Sequence, residues 1–161
     1  KDLTLPPNFE LIISDGSTVP VPANSVDMAY SNQLMEHLHP DDAFVQLQNI
    51  FNALAPGGTY LCITPNRLNG PHDVSRHFDK VATGFHLREY TVTELSDLFK
   101  AVGFRKVQTY LCVKGKSIFI PRQPVQWAER LLGALPFALR RKVASVYPLS
   151  LFLGISLVGV K

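Results

Sequence analysis

The sequence predicts an α/β domain built on a mainly parallel sheet. Three observations predict it. β-rich apolar runs alternate with amphipathic helical patterns along the chain. The runs are nearly continuous in apolar residues, as strands covered on both faces are. Polar residues gather just past their C-terminal ends, where open sheets of this kind bind ligands. Those residues are Asp15, Ser31-Asn32-Gln33 and Pro65-Asn66.

Each element has a local cause. Phe9 to Ser14 is short, apolar and bounded by Asp15-Gly16, which fits a buried strand. Pro20 and Pro22 keep their predecessors out of the helical region, so an extended connection follows. Val26 to Ser31 is the second strand. Pro40 suits a first helical position, and Asp41 and Asp42 complement the positive end of the dipole. Ala43, Phe44, Leu47, Ile50, Phe51 and Leu54 then share one helical face until Pro56-Gly57-Gly58 ends it. Thr59 to Thr64 is a third strand, and Arg67 to Glu89 a long loop of the kind that is usually functional. Thr91 and Glu94 form a capping box for a helix with a Leu95, Leu98, Phe99 and Val102 stripe, closed at Gly103. Phe104 to Val113 reads as a strand, Pro124 to Tyr147 as two helices broken at Gly133 to Pro136, and Leu151 to Val160 as a last strand.

Composition excludes several classes. With 161 residues, 46% hydrophobic and 18% charged, the chain can bury a full core and is no disordered tail. Two cysteines, Cys62 and Cys112, exclude a disulfide scaffold and suit a reducing, cytoplasmic setting. No leader pattern opens the sequence, and Val146 to Val160 is too short and too broken to span a bilayer. Through Lys100 there are six Lys/Arg against twelve Asp/Glu, and beyond it ten against one. The basic charges are spread rather than blocked and are not interleaved with stacking aromatics, so no nucleic-acid partner is expected.

The order of motifs resembles the class I S-adenosylmethionine-dependent methyltransferases, their type-11 branch in particular. The matching pieces are Ile12-Ile13-Ser14-Asp15-Gly16, Val21 to Asp27, Glu36-His37-Leu38 and Leu54-Ala55-Pro56-Gly57-Gly58. They continue with Ile63 to Asn66, His86 to Thr91 with Glu94-Leu95, and Val102-Gly103-Phe104. The resemblance implies a partial Rossmann-like methyltransferase sheet with a C-terminal antiparallel strand. It implies one incomplete domain over 1–161, with 9–112 and 151–161 as core and 67–90 and 113–148 as substrate cover.

It also implies S-adenosylmethionine as cofactor. Asp15 would accept from the adenine amine, with Gly16 and Ser17 beside it. Ser31, Asn32 and Gln33 would wall the methionine portion. The family's glycine-rich turn and second-strand acid would precede Phe9, and no two of the ten glycines stand two residues apart to replace that turn. Weak cofactor binding by these residues alone is therefore expected, together with an unpaired sheet edge prone to self-association.

Methyl transfer depends mainly on positioning in a dry pocket, and a base is needed only for a protonated nucleophile. His37 and His86 are the base candidates; the alternatives are a helix-entry contact and a loop-ordering contact. Asp15 alternatively forms an Asx-turn with Gly16. Asn66 and Arg67 are placed to touch substrate, although Pro65-Asn66 is also an ordinary turn. Neither His37, His39 and Asp41 nor His72, His77 and His86 with Asp73 or Asp79 has tight zinc-motif spacing, so no metal is expected. The amphipathic basic stretch from Trp127 to Lys142 suits a lid over a small, apolar or lipid-like acceptor, or a peripheral membrane contact. A non-catalytic interaction module using the sheet edge or these helices is the alternative function.

Overall fold

Strands β1 (Val26–Asn32), β2 (Leu54–Thr64), β3 (Lys106–Val113), β4 (Lys116–Ile120) and β5 (Ile155–Val160) form one sheet in the order β1-β2-β5-β3-β4. The structure is a computed structural model and describes residues 6–113 and 116–161, those at 112, 113, 116 and 117 by backbone alone. Helices α1 (Pro40–Ala53) and α2 (Val92–Val102) pack on the sheet. Three further helices, α3 (Arg122–Gly133), α4 (Phe137–Ala144) and α5 (Leu149–Leu153), lead into β5.

β1 and β2 pair in parallel, and β5 pairs antiparallel with both β2 and β3. Thus β1, β2 and β3 run the same way, with the C-terminal strand inserted against them. The α/β class and the antiparallel closing strand are as expected from sequence. Ladder by ladder, however, only the β1–β2 pair is parallel among the described strands, because β5 separates β2 from β3.

The core lies between the sheet and α1 and α2. Leu47 and Ile50 of α1 meet Tyr60 and Cys62 of β2, Leu95 and Phe99 of α2, and Leu157 of β5. The Tyr60 and Phe99 rings stack at 5.3 Å, and Phe104 tilts against Phe99 at 4.8 Å. A Cβ on Gly159 would stand 2.7 Å from both phenylalanine rings, so glycine there sets how closely β5 approaches α2. A smaller cluster of Leu68, Leu132, Ala144 and Leu153 ties α3 to α5 onto the 67–89 loop. Burial drives the Cys62 thiol up to about 11, in keeping with an inert core cysteine. The side chain of Cys112 lies outside the described set.

Three sequence expectations need correction. Phe9 to Ser14 is not a strand: it has no ladder, and Ile13 is 89% exposed. A strand exists only through pairing, and no described strand lies beside this run. Leu151 to Leu153 is helical, the strand beginning at Ile155. A nearly all-apolar run cannot distinguish the two states by periodicity. β4 extends the sheet within a stretch read as substrate cover. The capping box at Thr91 and Glu94 and the Gly103 cap, at φ 122°, are as read from sequence.

Candidate cofactor and acceptor site

The site is built from three loops around residues 34–38. The first is the turn after Ser14. Asp15 Oδ1 accepts from the Ser17 amide at 2.9 Å, the Thr18 amide at 2.7 Å and the Ser17 hydroxyl at 3.0 Å, and from the Thr18 hydroxyl. The bonds from Thr18, then those from Ser17, hold this carboxyl far below the usual carboxylate range. The Asx-turn alternative is therefore realised, and it leaves Oδ2 without a partner among the described residues. The loop is fixed to α1, where Gln46 donates to the Gly16 carbonyl at 2.6 Å and Asn49 to the Ser17 carbonyl at 3.0 Å. Gly16 has φ 92°, which favours glycine, and a Cβ there would stand 3.7 Å from Leu38.

The second loop follows β1. The Ser31 hydroxyl is buried against the Tyr60 hydroxyl at 2.6 Å, whereas Asn32 and Gln33 are exposed. Gln33 is held left-handed at φ 55° by its amide bond to the Ile63 carbonyl, 2.9 Å. Such a conformation in a non-glycine residue at a strand end is the kind of strain found at binding sites. Residues Met35–His37 then make a 3₁₀ turn whose Glu36 is completely buried and accepts from the Thr64 hydroxyl at 2.7 Å.

The third loop, 67–89, is clipped onto this turn. The amides of Leu87 and Arg88 donate to the Glu36 carbonyl at 2.7 and 3.2 Å, and His37 Nδ1 lies 3.0 Å from the Phe85 carbonyl. His37 and His86 meet edge to face with centroids 4.9 Å apart. Glu89 lies behind them, 2.8 Å from His86 Nδ1, and accepts from the His72 amide at 2.7 Å. Burial alone would raise the Glu89 carboxyl, but the bonds from His72 and His86 outweigh it and hold it low.

Asn66 is only 2% exposed, and its amide is committed to the scaffold: it donates to Glu129 and the Leu153 carbonyl and accepts from the Leu68 amide. Arg67, paired with Glu94 at 3.1 Å, lines a cavity of about 450 Å³. Lys80, Arg88 and Arg140 join it there, beside apolar Leu68, Val81 and Leu87.

The fold therefore sets the Gly16 turn against Leu38, pairs His37 with His86, leaves Asn32 and Gln33 exposed at the end of β1, places Arg67 on a cavity, and turns Ser31 and Asn66 inward. Sequence reasoning left Gln46, Asn49 and Glu129 out of the site, because their partners lie far along the chain. Glu36 and Glu89 stood inside the matched motifs but carried no role of their own there.

These features define an α/β fold whose polar loops follow the C-terminal end of a parallel strand pair. The comparisons give the particular family. The profile of the methyltransferase domain matches residues 8–109, and the chain belongs to that family. Over 103 residues it is 33% identical to a Mycolicibacterium smegmatis protein named "Probable S-adenosylmethionine-dependent methyltransferase", covering 64% of this chain and 38% of that protein. Two solved structures share the fold. One is the complex between the Haloferax volcanii Trm112 methyltransferase activator and a methyltransferase, with TM-score 0.62 and 20% identity over 98% of this chain and 63% of that one. The other is a SAM-dependent methyltransferase from Archaeoglobus fulgidus, with TM-score 0.55 and 15% identity over 96% and 68%. The chain thus spans less than half the length of the curated relative and about two thirds of these structures.

S-adenosylmethionine is the cofactor this kinship implies, and the donor set fits part of it. Asp15 Oδ2 is an open acceptor for an exocyclic amine, and Asn32 and Gln33 are exposed amides at the strand end. When bound, the cofactor supplies an electrophilic methyl on a sulfonium leaving group.

Proposed function

We propose that this chain contributes one wall of a methyltransferase that transfers a methyl from S-adenosylmethionine to a small acceptor with an apolar body and an anionic group. The observation that carries the reading is the convergence of three loops on residues 34–38: the Asp15 turn, the end of β1 and the 67–89 loop. Asp15, Gly16 and Ser17 hold the adenine side, while Asn32 and Gln33 face the methionine side. Ser31 positions that strand end through Tyr60.

On the acceptor side, His37 and His86 are the groups able to take a proton from the nucleophile, His86 oriented by Glu89. Lys80 and Arg140 favour an anionic acceptor group in this cavity, where Arg67 and Arg88 are paired with Glu94, and Asn66 braces the loop that carries Arg67. No glycine-rich turn occurs within these residues, so their cofactor wall is one-sided and binding is weak. The reducing setting suggested by the free, buried Cys62 supports a cytoplasmic enzyme. Among the described residues no helix is long and apolar enough to cross a membrane.

Isothermal titration tests the reading. S-adenosylmethionine is expected to give a weak isotherm with the 161-residue chain, and a weaker one still with Asp15→Ala. No heat from either this chain or the whole gene product would refute it. A second reading, an interaction module, is favoured by the open edge of β1, on which Met28 and Tyr30 are exposed.

A further inference from the structure

Glu36 is completely buried, yet one of its carboxylate oxygens, Oε1, has no hydrogen-bond partner. An orphaned carboxylate oxygen in a core is costly and calls for a reason. The reason stands beside it. One ligand atom each from Glu36, His37 and His86 lies within 4.8 Å of the other two.

Both imidazoles have Nδ1 engaged, which leaves Nε2 as the nitrogen able to ligate. His37 Nδ1 faces the Phe85 carbonyl at 3.0 Å, and a carbonyl only accepts, so Nδ1 carries the proton and Nε2 keeps its lone pair. His86 Nδ1 faces the Glu89 carboxylate at 2.8 Å, with the same result. Ligating histidines are held in this way, through the second nitrogen, by a carbonyl or carboxylate. Thr64 fixes the other oxygen of Glu36 and so aims the carboxylate.

We propose that Glu36, His37 and His86 form a binding site for a divalent first-row transition ion of the zinc class. Two imidazoles and one carboxylate are the donor set such ions take in open, three-ligand sites, whereas magnesium and calcium favour all-oxygen shells. Bond lengths near 2.1 Å put tetrahedral ligand atoms about 3.4 Å apart, so the cluster tightens by at most about 1.4 Å on binding. His37, the exposed member of the three, has the room to make that movement. One consequence rests on the methyl-transfer reading: with an ion bound, its open positions would take the acceptor's oxygen and promote proton loss there, and His37 and His86 would act as bases only in the metal-free site.

Cobalt(II) titration into the metal-free chain tests the site without cofactor or acceptor, so its failure leaves the methyl-transfer reading standing. The expected result is saturable visible absorption at one equivalent, displaced by zinc. His37→Ala should lose those bands and at least about tenfold in affinity with an unchanged far-ultraviolet circular dichroism spectrum. His39→Ala, on the exposed neighbouring imidazole, should keep both. Absence of saturable absorption in the unmodified chain, or equal bands in His37→Ala, overturns the proposal.

Discussion

Asp73 organises the 67–89 loop from a single carboxylate. Its Oδ2 accepts from the amides of Gly84, Phe85 and His86, and its Oδ1 from that of Ser75, starting the 3₁₀ turn Val74–His77. Burial opposes ionisation, but the bonds from His86, Ser75 and Gly84 prevail and lower the carboxyl from 3.8 to about 2. The folded chain therefore holds this proton less tightly than the unfolded one. The resulting stabilisation is present above pH 3.8 and is lost as pH falls through about 2. Urea unfolding should show Asp73→Ala less stable by about 1–3 kcal/mol at pH 7, with the gap narrowing as pH falls below 3.8. A gap independent of pH would mean that the carboxylate charge contributes nothing. The same loop supplies Phe85 and His86, so loosening it should also disturb the pairing of His37 with His86.

At the scale of elements, legibility followed the range of the interactions involved. α1 and α2 were readable because their signals are local: Pro40 with two acids in the first turn, the Thr91–Glu94 box, and apolar stripes at helical spacing. The break between α3 and α4 likewise showed at Gly133 to Pro136. Phe9 to Ser14 misled because β-structure depends on a neighbour that composition does not reveal. The site divided in the same way. His37 and His86 stood out as titratable groups in polar segments. Glu129 did not, because its role exists only after α3 folds back. There its buried carboxylate accepts from the amides of Val92 and Thr93 at 2.6 and 2.9 Å, capping α2 beside Thr91. Glu36 and Glu89 stood in legible motifs, but their roles show only in the fold, which brings Thr64 to one and His72 to the other.

At the scale of the whole molecule, the described sheet is half dressed. α1 and α2 bury one face, while alternate residues on β2 and β5 remain half-buried. β1 pairs on one side only, and Met28 and Tyr30 are exposed on it. This makes an apolar, unpaired edge. Light scattering should show mass rising with concentration, and Met28→Lys should suppress the rise; a monomer at all concentrations would count against self-association. The central claim concerns the opposite end of the sheet. Backbone amide NMR during titration with S-adenosylhomocysteine tests it most directly. The account predicts shifts concentrated at Gly16, Ser17, Asn32 and Gln33, with smaller ones at His37. Shifts confined to the α3–α4 region, with the Asp15 turn unmoved, would contradict it.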